Sequence, residues 1–247
     1  MTRNVVHKAL ARLAASAMTL LLAAPAMAGD RALIDFIGFS EDGQYFAFEE
    51  FGVQDGSGFP YSNIYVLDVS ADEWVDGTPV RVSLEDDGAS QEEARSEAAG
   101  EAAEVLADLG INAPVDIIAM NADGELGDGS FLSFGQPGYF PNNVQGAYTL
   151  ALNTFSADSP TDCEGYIGEK AKGIILTLSG GAEAEHEIYR DNTTLPESRG
   201  CPSVYRIHAI VAPQYTTPPA AHVAIIATYP FGFEGPDRRF IAIPLVP

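Results

Sequence analysis

Apolar and polar residues alternate along most of this chain, with the two-residue period of a strand rather than the 3.6-residue period of a helix. A strand leads into Glu41-Asp42-Gly43, whose Asp-Gly step reads as a tight turn, and residues 44–50 (QYFAFEE) continue on the other side. Residues 53–62 hold two glycines and a proline and read as a loop. Residues 63–69 (NIYVLDV) resume the alternation, with Ile64 and Val66 on one side and Tyr65, Leu67 and Val69 on the other. Both sides are apolar, which predicts a strand covered on both faces. Residues 78–84 (TPVRVSL) add another strand.

The period then changes. Ser90-Gln91-Glu92-Glu93 has the spacing of a capping box, in which the serine hydroxyl takes an orphan amide and the glutamate reaches back. Ala94, Ala98, Ala102, Val105, Leu106 and Leu109 form one helical stripe, and Gly110 is placed to end the helix in a left-handed conformation. A helix over 90–109 is expected, its stripe a packing face. Strands return over 114–121, 130–135, 147–157, 172–180, 185–191, 203–213, 222–230 and 238–246. About eleven strands with Gly/Pro-rich turns and one helix make a mainly β chain. The expected fold is an antiparallel sandwich or barrel-like single domain, with a degenerate β-propeller as the alternative.

That alternative comes from a motif. Phe39, Ser40, Asp42, Gly43, Tyr45, Ala47 and Phe48, followed by Ile64, Tyr65, Val66 and Asp68, resemble one blade of a TolB-like propeller. In that motif the aspartate caps the turn and the aromatics fill between blades. No second copy occurs, whereas a propeller needs repeats and at least four blades. Residues 38–68 together with 229–244 (YPFGFEGPDRRFIAIP) are also similar to a bacterial family of predicted secreted proteins of unknown function. That resemblance implies export and a bacterial source; it implies no reaction, cofactor or catalytic residue.

The N-terminus changes the picture of location. Arg3, Lys8 and Arg12 precede an apolar run over 13–24, and Ala26-Met27-Ala28 has the small-x-small cleavage pattern. Residues 1–28 are therefore expected to be a secretory signal peptide, leaving 29–247 as one β-rich domain. The apolar run is short for a membrane anchor, which takes about 20 residues, and no cysteine follows the cleavage site. No later stretch is apolar and long enough to span a bilayer. Removing the signal lowers the net charge from -22 to -25, which disfavours nucleic acid and anionic lipid surfaces and tolerates cations. Cys163 and Cys201 are the only cysteines, and export makes a disulfide between them the default. A periplasmic or secreted protein follows.

Familiar catalytic patterns fail on inspection. Gly56-Ser57-Gly58 is not the Gly-x-Ser-x-Gly of a nucleophile elbow, because Asp55 and Phe59 stand where its two glycines belong. His186, His208 and His222 have no paired metal-ligand spacing. Asn121, Asp123, Glu125 and Asp128 miss the calcium-loop pattern, with Leu126 where the sharp-turn glycine belongs. Glu49 and Glu50 are adjacent and point to opposite faces of a strand, so only one can enter a given cleft. Arg238 and Arg239 alternate across the last strand, where a salt bridge to an inward carboxylate is expected. No catalytic residue, metal or cofactor is assigned. The reading is a non-catalytic binding protein for an envelope component, a protein partner or a cation. Its candidate binding loop spans 53–61 and carries Asp55, Phe59 and Tyr61, whose aromatics are alternatively core plugs. The competing reading is a hydrolase or metal-dependent enzyme with a dispersed site.

Overall fold

The computed structural model describes residues 29–138, 140, 143–181, 183–214 and 221–245. The expected signal peptide lies outside the described residues. The chain is mainly β, and its strands form three antiparallel sheets.

The first sheet is built from β1 (Leu33–Ser40), β2 (Tyr45–Val53), β3 (Pro60–Asp68), β4 (Glu73–Trp74), β5 (Val80–Ser83) and β6 (Ile111–Ala113). Its order is β4-β3-β2-β1-β6, with β5 also pairing β3. Asp42 closes the β1–β2 turn by accepting from the Gln44 amide and the Ser40 hydroxyl, and Gly43 takes φ +74°. Helix α1 (Gln91–Asp108) crosses the outer face of this sheet. The capping box forms as the sequence predicts: Glu93 N–H donates to Ser90 Oγ, and Ser90 N–H donates to Glu93 Oε2. Gly110 follows with φ +63°. The buried side of α1 is Ala94, Ala98 and Ala102, small enough to bring the helix close to Ile64 and Val82. Arg95 reaches from the helix to both oxygens of Glu49 (2.9 and 2.7 Å) and to Asp35, and stacks on Phe51 at 3.8 Å.

The central sheet runs β14-β13-β12-β7, from β7 (Val115–Met120), β12 (Pro202–Pro213), β13 (Val223–Pro230) and β14 (Arg239–Pro244). The far sheet runs β11-β10-β9-β8, from β8 (Phe131–Pro137), β9 (Val144–Ser156), β10 (Lys172–Gly180) and β11 (Glu183–Arg190). Alternation along β13 explains the stacking. Val223, Ile225 and Ala227 face Phe39, Phe46, Phe48 and Leu67 of the first sheet. Ala224 and Ile226 face Leu150, Ile174 and Leu176 of the far sheet. A strand buried on both faces favours apolar residues at every position, and β13 accordingly opens with the run Val223-Ala224-Ile225-Ile226-Ala227 before the buried Thr228.

The result is a sandwich of three stacked sheets with a helix on the outside. Among the described residues no sheet closes into a barrel, and no core cluster joins the two outer sheets. The stack is therefore open rather than a ring of blades, and the propeller alternative gives way to the sandwich. Fourteen strands are described where eleven were expected; β4 and β6 are two and three residues long, too short for a period. A five-residue helix α2 (Cys163–Ile167), capped by Asp162, was also not expected. It starts at Cys163, which is bonded to Cys201 with Cα atoms 5.3 Å apart.

Candidate functional site

A deep concavity lies at the β14 edge of the central sheet. There the two outer sheets extend past the middle one and leave a cleft of about 810 Å³ between them. Its floor is β14, from Arg239 to Ile243. One wall comes from the first sheet: Glu50, Asn63, Tyr65, Trp74 and Arg81. The other comes from Tyr189 on β11 and the turn Pro196–Gly200, which includes Arg199.

Strand alternation places the first wall. On β3, Ser62, Ile64 and Val66 point to the helix side, so Tyr61, Asn63, Tyr65 and Leu67 point to the central sheet. Tyr61 and Leu67 reach the core, while Asn63 and Tyr65 extend over the β14 edge. An aromatic series runs outward from the core. Phe46 stacks on Phe48 at 5.9 Å, Phe48 on Tyr65 at 4.9 Å, and Tyr65 meets Trp74 at 5.1 Å. Trp74 ends the series 37% exposed.

The floor carries a buried charge network. Glu49 and Glu50 do point to opposite faces, Glu49 to Arg95 and Glu50 to β14. Glu50 Oε2 accepts the Phe240 N–H at 2.7 Å, and Arg239 Nε stands 3.9 Å from its other oxygen. Arg239 also pairs with Asp30 at 2.7 Å and with Asp237 at 3.4 Å. The Tyr61 hydroxyl donates to Asp30 at 3.0 Å and lies 3.3 Å from Arg239. Burial pushes the Glu50 carboxyl up to about 7 against the pull of Arg239 and the Phe240 amide. Burial also raises Asp30, with Arg239 and Tyr61 opposing. On the opposite wall Arg199 sits 3.4 Å from Asp191, which also accepts from the Tyr189 hydroxyl at 2.8 Å and from the Ile174 amide at 2.9 Å.

Glu50 sets an expected pH dependence. A carboxyl with pKa about 7 when folded and about 4.5 when unfolded binds more protons in the native state between those values. Stability from this group therefore falls as pH rises from 4.5 to 7, by about 3 kcal/mol over the whole window. Urea midpoints recorded across that range should show the slope, and Glu50→Gln should flatten it. Equal slopes in both proteins would assign the pH dependence elsewhere.

The expected binding loop is divided by the fold. Tyr61 lies on β3 and is 5% exposed, with its ring in the core and its hydroxyl on Asp30, so it takes the core-plug role. Phe59 is half-buried beside it. Asp55 Oδ2 accepts the Glu234 N–H at 2.8 Å, tying this loop to the β13–β14 connection. Both arginines of that hairpin are ion-paired: Arg238, buried, forks onto Asp123 at 2.8 and 3.0 Å, and Arg239 joins the cleft network. His208 packs on Phe240 at 5.2 Å and His222 lies 6.2 Å from Phe134; neither ring lines the cleft. Among the described residues no three His, Cys, Asp or Glu side chains converge as a metal-ligand set. Sequence reasoning missed Trp74, Asn63, Arg81 and Arg199, which come from separate segments and share no motif.

A family model described as "Predicted secreted protein (DUF2259)" matches residues 47–245, and the chain belongs to that family. Neither the curated proteins nor the solved structures gave a match.

Proposed function

We propose that this member of a secreted-protein family is a non-catalytic binding protein, working in the periplasm or outside the cell, and that the overhung cleft holds its ligand. One observation carries the reading: Trp74 and Tyr65 present aromatic surface beside Arg81, Asn63 and Arg199 within one concavity. Large apolar rings next to polar groups that fix orientation are what small binding sites share. The floor favours binding over turnover. Glu50 and Arg239 are occupied with each other and with Asp30 and the Phe240 amide, which makes them a rigid base rather than a reactive pair. Envelope components and protein segments are the ligand classes that location supplies.

Trp74 is the single tryptophan of the chain, so its emission reports on this cleft alone. A low-mass cell-envelope extract is expected to shift that emission saturably, and Arg81→Ala should weaken the response by about tenfold. An unchanged spectrum, together with no molecule retained in equilibrium dialysis, would remove the proposal.

A further inference from the structure

We infer that the cleft takes an extended peptide segment, hydrogen-bonded along β14 as a fifth strand of the central sheet; the inference rests on the binding reading above. The direction of the backbone groups carries it. Phe240 donates its N–H to Glu50, away from β13. Groups two residues apart on a strand point the same way, so the Ala242 N–H and C=O and the Phe240 C=O also face the open edge. Ala242 lines the cleft, and among the described residues its N–H has no hydrogen bond beyond that edge. Both ends of the open stretch are closed to further donors: Glu50 already occupies Phe240, and Pro244 has no N–H. One donor and two acceptors remain, the set that pairs with two alternate residues of an added strand.

The walls suit the same occupant. Every strand of the central sheet lies between the two outer sheets, and β4, β5 and β11 carry that enclosure past β14. A strand spaced about 4.8 Å beyond β14 would sit between the same two layers. Its side chains would alternate between the Tyr65, Trp74 and Arg81 wall and the Tyr189 and Arg199 wall. Main-chain bonds then supply affinity and the two walls supply selectivity. An open edge ordinarily invites aggregation; sunk between overhanging walls, this one admits a single extended segment and excludes another sheet.

The test starts from a random decapeptide library on beads, selected against the whole mature protein. A selected decapeptide is then synthesised and titrated against Trp74 emission. N-methylation of one alternate set of its amides should weaken binding at least about tenfold, and of the other set less than about threefold, because only every second amide faces β14. Ala242→Pro should weaken binding by a similar factor at unchanged Tm, since its N–H points away from β13. If that variant fails to fold, the two N-methylated sets decide alone. Equal sensitivity of both sets overturns strand addition. Retention of neutral oligosaccharides with no decapeptide selected overturns it too, while leaving the binding cleft standing. Retention of neither class removes both.

Discussion

Arg239→Ala is expected to destabilise the protein by about 3–5 kcal/mol at neutral pH, the usual cost of removing one partner of a buried ion pair. Its guanidinium is the counter-charge for Asp30 and Glu50, whose side chains are only 2% and 1% exposed. Without it, two buried carboxylates share one site, each must protonate or stay ionised without compensation, and the Tyr61 hydroxyl loses a neighbour. The charge origin gives a signature. Protonation relieves both carboxylates, so the deficit against the parent should be small at pH 5 and large at pH 8. Urea unfolding at the two pH values separates this from lost packing of the arginine stem, which would give the same deficit at both. Arg190→Ala is the surface control. Arg190 pairs with Glu187 in the open, where a salt bridge contributes less than about 1 kcal/mol.

What the sequence made legible, and what it hid, follows from how local each signal is. The helix was readable because a capping box and a glycine terminator are chemistry between neighbours, and Ser90, Glu93 and Gly110 take the conformations their spacing dictates. The two-faced burial of β3 and the opposed directions of Glu49 and Glu50 were readable because strand alternation is strict. Family and export were readable from two blocks of residues, and the family match from 47 to 245 bears them out. Tyr61 was misplaced by a boundary: β3 begins at Pro60, so Tyr61 takes the inward parity of the strand rather than the freedom of the loop. The cleft had no local signal at all. Glu50 and Phe240 are 190 residues apart in sequence, and Trp74 sits on a strand of two residues. Only the stacking of three sheets, with the outer two extending past β14, brings these groups to one place.

That stacking has a covalent brace, and replacing both Cys163 and Cys201 by serine is expected to cost about 4 kcal/mol. The bond closes a loop of about 39 residues, and fixing such a loop removes that much chain entropy from the unfolded state in the simplest treatment. For a chain of this size the change corresponds to a Tm lower by roughly 8–16 °C. The bond also has a local role. Cys163 and Cys201 pack with Ala157, Ala171 and Leu195 in a small core of their own, and the Gly200 carbonyl accepts from the Ser159 hydroxyl at 3.1 Å. Next to that core lies the turn Glu197–Arg199, which supplies the far wall of the cleft. The double serine variant should therefore lose hydrogen-exchange protection around residues 195–201 even where the rest of the fold is intact, and bind more weakly for that reason. The intact protein treated with a thiol reductant should converge on the same Tm. A variant melting within about 2 °C of its parent would mean that the small core, and not the sulfur bond, holds this wall in place.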